Sequence, residues 1–180
     1  NGVGCKFEKS KAQKLVKDIE KLLKSKSIKH TQISDELVTS KGIKGLYTDS
    51  ILDPFESIDI FALAATPKPI DKNENDNSIV LKVQCDSISF LLTGDAEIKE
   101  EKVIIDRLKS EDNIKALDID VLKAGHHGSN TASGEELLQL TSPEISVIMV
   151  GVASESPMTQ KFRLPKESVI SRVANNTSNV

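Results

Sequence analysis

The sequence predicts an α/β fold with a mixed sheet and flanking helices, and three observations carry that expectation. Two apolar runs, Ile79 to Cys85 and Ile88 to Thr93, are separated only by Asp86-Ser87, which is hairpin spacing. A third apolar run, Ile58-Asp-Ile-Phe-Ala-Leu-Ala64, precedes them and is stopped by Thr66-Pro-Lys-Pro69. After the hairpin, strand and helix patterns alternate, so antiparallel pairing gives way to parallel pairing in one sheet.

Taken in order, Ser10 to Ser25 reads as an amphipathic helix. Ala12, Leu15, Val16, Ile19, Leu22 and Leu23 recur at helical spacing, with lysines opposite and Ser10 as the cap. No aromatic residue lies among those lysines to stack on bases, so a solvated helix face accounts for them better than a nucleic-acid surface. Ile28 to Phe55 has weak patterning and reads as short strands and loops, with His30 on the surface. Asp71 to Asn77 is a polar loop. Ile98 to Leu108 is a helix, with Glu97, Glu100 and Glu101 as the acidic start its dipole favours. Ile119 to Ala124 is a strand. Ser133-Gly-Glu-Glu136 has capping-box spacing and opens a helix through Leu140. Ile145 to Val150 is another strand, and Pro165 suits the first turn of a last helix ending at Ala174. Residues 1–174 make one domain, or part of one, and the polar tail 175–180 frays.

Composition narrows the function classes. The chain has 180 residues, 38% hydrophobic and 28% charged, but only 3% aromatic, so Leu, Ile and Val must build the core. A net charge of −3 argues against a broad basic surface, though not against a local basic cleft. Cys5 and Cys85 form no disulfide framework and no zinc-finger spacing. No run approaches the roughly 18 apolar residues of a membrane span. The chain starts at Asn1-Gly2 rather than Met, which fits a processed product or the ordered part of something longer.

The chemistry is concentrated at two strand ends. The run Ile88-Ser-Phe-Leu-Leu-Thr93 ends in Gly94-Asp95, and Val121-Leu-Lys-Ala-Gly-His-His-Gly-Ser-Asn130 ends a second strand in His126-His127 between glycines. A carboxylate can bridge two cations because its oxygens can face different metals. One imidazole can ligate while its neighbour binds substrate or orients the first. Each segment alone has an ordinary explanation, a Gly-Asp turn and a pair of loop histidines. It is their placement at equivalent strand ends that favours a hydrolytic metal centre. Ser129 is positioned to hydrogen-bond a phosphate oxygen or to cap its own turn. A serine hydrolase is disfavoured, because no Gly-x-Ser-x-Gly elbow is present.

Three segments together carry a family resemblance: Asn75-Asp-Asn-Ser-Ile-Val-Leu81, Phe90-Leu-Leu-Thr-Gly-Asp95 and Asp120-Val-Leu-Lys-Ala-Gly-His-His-Gly-Ser129. In order and spacing, over roughly residues 71–150, they resemble the second half of the metallo-β-lactamase fold, in the branch that includes the hydrolase domain of the ComEC competence proteins. The resemblance implies an αβ/βα sandwich with two metal ions, usually zinc, and hydrolysis of esters, amides or phosphodiesters by metal-activated water. It implies Asp95 as the metal-bridging aspartate and places His126-His127 on the late histidine motif. His127 is favoured as metal ligand and His126 as the neighbour facing substrate, with the reverse order left open. Asn77 and Ser78 fall where many relatives carry another metal-binding histidine, which this branch commonly lacks.

Two departures stand against that pattern. The family's His-x-His-x-Asp-His motif, normally upstream of the region covered here, is absent, and the chain holds only three histidines. Where relatives of this branch often carry Gly-His-Pro, the chain reads Arg163-Leu164-Pro165, leaving Arg163 as a candidate anion contact. A catalytic zinc needs about three protein ligands and an open position. Asp95, His127 and His126 are too few for two ions, so zinc binding by this chain alone should be weak or absent. The expectation is therefore the C-terminal part of a larger metal-dependent hydrolase acting on phosphodiesters, nucleic acid or small. Its missing cover would come from the upstream half of the same domain or from a second copy. The rival is a degenerate, non-catalytic binding or structural module that keeps the fold.

Overall fold

A computed structural model describes residues 21–22, 24–26, 58–64, 74–151 and 163–178. Lys21, Leu22, Lys24 and Ser25 are helical, while the rest of the expected Ser10–Ser25 helix, the 28–55 segment, His30 and Cys5 lie outside the described residues.

Among the described residues, five strands form one mixed sheet in chain order: β1 (Ile58–Ala64), β2 (Val80–Cys85), β3 (Ile88–Leu92), β4 (Val121–Lys123) and β5 (Ile145–Val147). The first three pair antiparallel, with Asp86-Ser87 turning the β2–β3 hairpin as its spacing predicts. β3–β4 and β4–β5 pair parallel, because helices α1 (Ile98–Ser110) and α2 (Glu135–Thr141) intervene as crossovers. α3 (Glu167–Asn175) closes the described chain. The predicted α/β class and mixed sheet hold.

Register sorts the side chains onto two faces. Val80, Leu91 and Leu122 share the face packed by the helices, where they join Leu63, Ile104, Ile105, Leu108, Leu137, Leu138, Val169 and Val173 in one buried cluster. Each fully buried Leu or Ile contributes about 1.5–3 kcal/mol relative to exposure. α1 buries Ile104, Ile105 and Leu108 on one stripe, and Glu100 and Glu101 lie on that stripe one turn earlier. Helical geometry therefore drives both carboxylates inward, rather than leaving them as the solvated acidic start the sequence suggested. Lys82 also points to the helix face, and its ammonium donates to the Ala116 and Asp118 carbonyls.

The opposite face carries Val83, Phe90 and Leu92 with Ile88, Val121, Ile145 and Val147 in register. No described helix covers it: Ile88, Leu92, Ile145 and Val147 are 50%, 39%, 52% and 42% exposed. Val80 alternates onto the other face and is buried.

Several boundaries differ from the sequence reading. The polar 71–77 loop ends in a 3-10 turn, Glu74–Asn77. The strand expected over 145–150 ends at Val147. The last helix starts at Glu167, because Lys166 is extended and donates its N–H to the Gly128 carbonyl. The tail is tied down as far as Ser178, whose N–H reaches Pro143, while the Thr177 hydroxyl pairs with that of Ser146. The capping box at 133–136 does not form. Gly134 is the N-cap of α2, and its N–H and that of Ser133 both donate to the Glu101 carboxylate from across the fold. The Ser133 hydroxyl instead accepts the Gly125 N–H.

Candidate metal and substrate site

Parallel pairing of β3 with β4 carries both candidate loops to one sheet edge, as a shared site requires. Gly94 turns the chain out of β3 with φ +58, and the Asp95 N–H is fixed by the Ser78 hydroxyl at 3.1 Å. Ser78, a position flagged for a ligand in relatives, thus supports the aspartate through a hydrogen bond. The His126 N–H donates to the Gly94 carbonyl, and the Lys123 ammonium bridges the Gly94 and Ala124 carbonyls at 2.7 and 3.1 Å. Burial lowers the Lys123 pKa, while nearby Asp95 opposes the shift. The two strand ends are therefore stapled together by one cation.

After β4 the backbone does something costly. His126 and His127 take φ of 39 and 53, a left-handed conformation unfavourable for residues with a Cβ. Their rings consequently diverge, with centroids 6.3 Å apart and planes at 67°. The His127 Nδ1–H donates to the Met149 carbonyl at 2.7 Å, because a carbonyl can only accept. In the neutral ring Nε2 is then the nitrogen with the lone pair; it lies 3.4 Å from Asp95 Oδ1, and both side chains are accessible to solvent. With zinc–ligand bonds near 2 Å, two atoms about 3–5 Å apart can share one coordination sphere, and this pair lies in that range.

His126 faces another way. Its Nδ1 lies 2.8 Å from Glu97 Oε1, which also receives the Thr131 hydroxyl at 2.8 Å and the Asn75 amide at 3.3 Å. From sequence Glu97 reads as part of the acidic start of a helix; the structure makes it the N-cap of α1 and turns its carboxylate to His126. Ser129 is buried, its N–H on the His126 carbonyl and its hydroxyl 2.9 Å from that of Thr131. Arg163 is exposed, on the segment that brings Pro165 against the histidine loop.

The donor set suits a cation in chemistry: one carboxylate oxygen and one imidazole nitrogen converge, with the imidazole's other nitrogen committed to a carbonyl, the usual support for a metal-ligating histidine. It is incomplete in number, since no group of three or more His, Cys, Asp or Glu able to hold a metal occurs among the described residues.

Gly128 closes the loop at φ +78, and a Cβ built there would lie 2.6 Å from Pro165 Cβ. Gly128→Ala is expected to cost about 1–3 kcal/mol from backbone strain and displacement of Pro165. Denaturant melts check this, and an unchanged midpoint would show that the loop yields freely.

The geometry defines an α/β domain with a histidine–aspartate pair at the ends of adjacent parallel strands. The chain is similar to ComE operon protein 3 of Bacillus subtilis, 36% identical over 91 residues, covering 51% of this chain and 11% of that protein. Recombination protein 2 of Haemophilus influenzae is 32% identical over 113 residues, 63% of this chain and 13% of that protein. Competence protein ComA of Neisseria gonorrhoeae is 36% identical over 104 residues, 57% and 14% respectively. The chain thus spans only a small part of the curated relatives it matches. No family model matches it, and no solved structure matches it significantly. No described helix is long and apolar enough to cross a membrane.

Proposed function

We propose that the chain is the second half of a metallo-β-lactamase-fold domain in a competence-type protein, acting on phosphodiester bonds, with DNA the favoured substrate. The observation that carries the reading is the Asp95 Oδ1–His127 Nε2 pair at the ends of β3 and β4, with the His127 tautomer set by Met149. The names of the relatives, in competence and recombination, support DNA over a small phosphodiester.

In the complete domain Asp95 and His127 would hold zinc, which supplies activation of water and polarisation of a phosphoryl oxygen. The chain's own residues do the rest. Ser78 and Lys123 fix the Asp95 turn against the histidine loop, Met149 sets the His127 ring, and Glu97 sets that of His126. Arg163 is the contact to phosphate oxygens in this reading, while His126, its Nδ1 turned to Glu97, offers Nε2 to a substrate N–H or O–H or to a cation, with Ser129 held behind them. With two converging ligands, the purified chain should retain well under one zinc per molecule after dialysis. Elemental analysis finding two tightly held ions would refute the half-site account. Activity belongs to a longer protein carrying His-x-His-x-Asp-His, assayed on single-stranded DNA and on a small phosphodiester.

The sheet face that no described helix covers fits the sandwich. In this reading a second sheet from the preceding part of the domain packs on Val83, Phe90, Leu92, Ile145 and Val147. These residues alone should then self-associate, since an open apolar face is unfavourable by about 25 cal/mol per Å² of apolar area. Sedimentation should show concentration-dependent oligomers that Ile145→Lys with Val147→Lys disperses. A cooperatively folded monomer at all concentrations would count against it.

A further inference from the structure

We infer that Glu97 is the positioning residue of the site: it locks His126 in the Nδ1–H tautomer and leaves Nε2 as the ring nitrogen offered to a ligand. The inference rests on the reading of His126 as a site residue, and its first test does not need activity.

Glu97 Oε1 lies 2.8 Å from His126 Nδ1, a distance that requires a proton between them. The same oxygen receives the Thr131 hydroxyl at 2.8 Å and the Asn75 amide at 3.3 Å. An oxygen taking bonds from an amide and a hydroxyl is acting as an acceptor, so the shared proton sits on the imidazole. Asn75 Nδ2 also lies 3.4 Å from His126 Nδ1, but both are then donors, and the amide serves the carboxylate instead. The His126 ring is thus held through one carboxylate that is itself oriented by two other segments, the 74–77 turn and the loop before α2.

This support is needed because of the backbone. The left-handed conformations at 126 and 127 aim the two rings apart. His127 finds its tautomer partner in a main-chain carbonyl, whereas the described partners of the His126 ring are side chains. Glu97 and His126 are 14% and 26% exposed, so water competes weakly for the bond while the ring still reaches solvent. The dependence runs in one direction: a ring that pivots about Cβ–Cγ or swaps its proton to Nε2 presents a donor where the site was built to present a lone pair.

The test is nitrogen NMR of the imidazoles in this chain at mildly alkaline pH, with the His126 signals assigned by their loss in His126→Asn. The expected result is Nδ1–H for His126 in the wild type and in Glu97→Gln, whose amide oxygen accepts the same bond. In Glu97→Ala it should turn to Nε2–H or a mixture. Because Glu97 also lies at the N-terminus of α1, Thr131→Val serves as a second variant. It removes one bond that orients the carboxylate and should raise the Nε2–H fraction without touching the helix. Nε2–H in the wild type, or an unchanged tautomer in Glu97→Ala, would overturn the inference. In a longer active protein, Glu97→Ala should lower turnover by about 10–100-fold, with Glu97→Gln restoring most of it. If the longer protein shows no phosphodiesterase activity but the tautomer responds as expected, the proposed chemistry fails and the positioning role stands.

Discussion

Asp95→Asn in a longer protein carrying the His-x-His-x-Asp-His motif is expected to lose about a hundredfold or more in phosphodiesterase turnover, with metal content falling alongside. The asparagine amide fills the same space, and the backbone N–H that Ser78 holds is untouched. What disappears is the negative charge facing His127 Nε2 at 3.4 Å, which offsets cation charge and makes the oxygen a strong ligand. The side chain is partly exposed, so stability should move by less than about 0.5 kcal/mol. His127→Ala should behave alike, while His126→Ala should act mainly through substrate binding. A protein with normal turnover and metal content after Asp95→Asn would leave the binding-module reading in front.

The second large effect is on stability against pH. Burial raises the Glu100 pKa to about 8, opposed by the Ser78 N–H and reinforced by Asp76 and Glu101. Burial likewise raises Glu101 to about 7, opposed by the Gly134 and Ser133 N–H groups and Arg172. Between the ordinary carboxylate range and these values the folded protein holds protons that the unfolded chain has released. Stability is therefore full below about pH 4.5, as far as these groups decide it, and is lost as pH rises through 7 and 8. The slope is at most about 1.4 kcal/mol per pH unit for each group. Glu100→Gln should flatten the part due to that residue, because the amide stays neutral throughout. Urea titrations between pH 5 and 8 that show constant or rising stability would contradict the buried-carboxylate account.

Much of the described fold was legible in sequence because the relevant signals are local. The β2–β3 hairpin follows from two apolar runs two residues apart, and α1 from helical spacing. The pairing of Asp95 with His127 followed from equivalent strand ends. What escaped were effects that depend on a distant partner. Ser133 has the right spacing to cap α2, yet Glu101 reaches the same N–H groups from another helix. Glu100 and Glu101 look like the first turn of a surface helix until their stripe is seen to continue into Ile104, Ile105 and Leu108. Glu97 is one acid among several, and only the folded chain brings Asn75, Thr131 and His126 to its oxygen.

The left-handed backbone at His126 and His127 has a consequence for how this chain can change. Glycine would occupy those two positions with less strain, by about 1 kcal/mol or more at each. The histidines thus sit against the folding preference of their own loop. Selection of variants for heat resistance alone would drift toward glycine there and erase both imidazoles, so under the proposed function a more robust descendant of this sequence would be the one to lose its ligands.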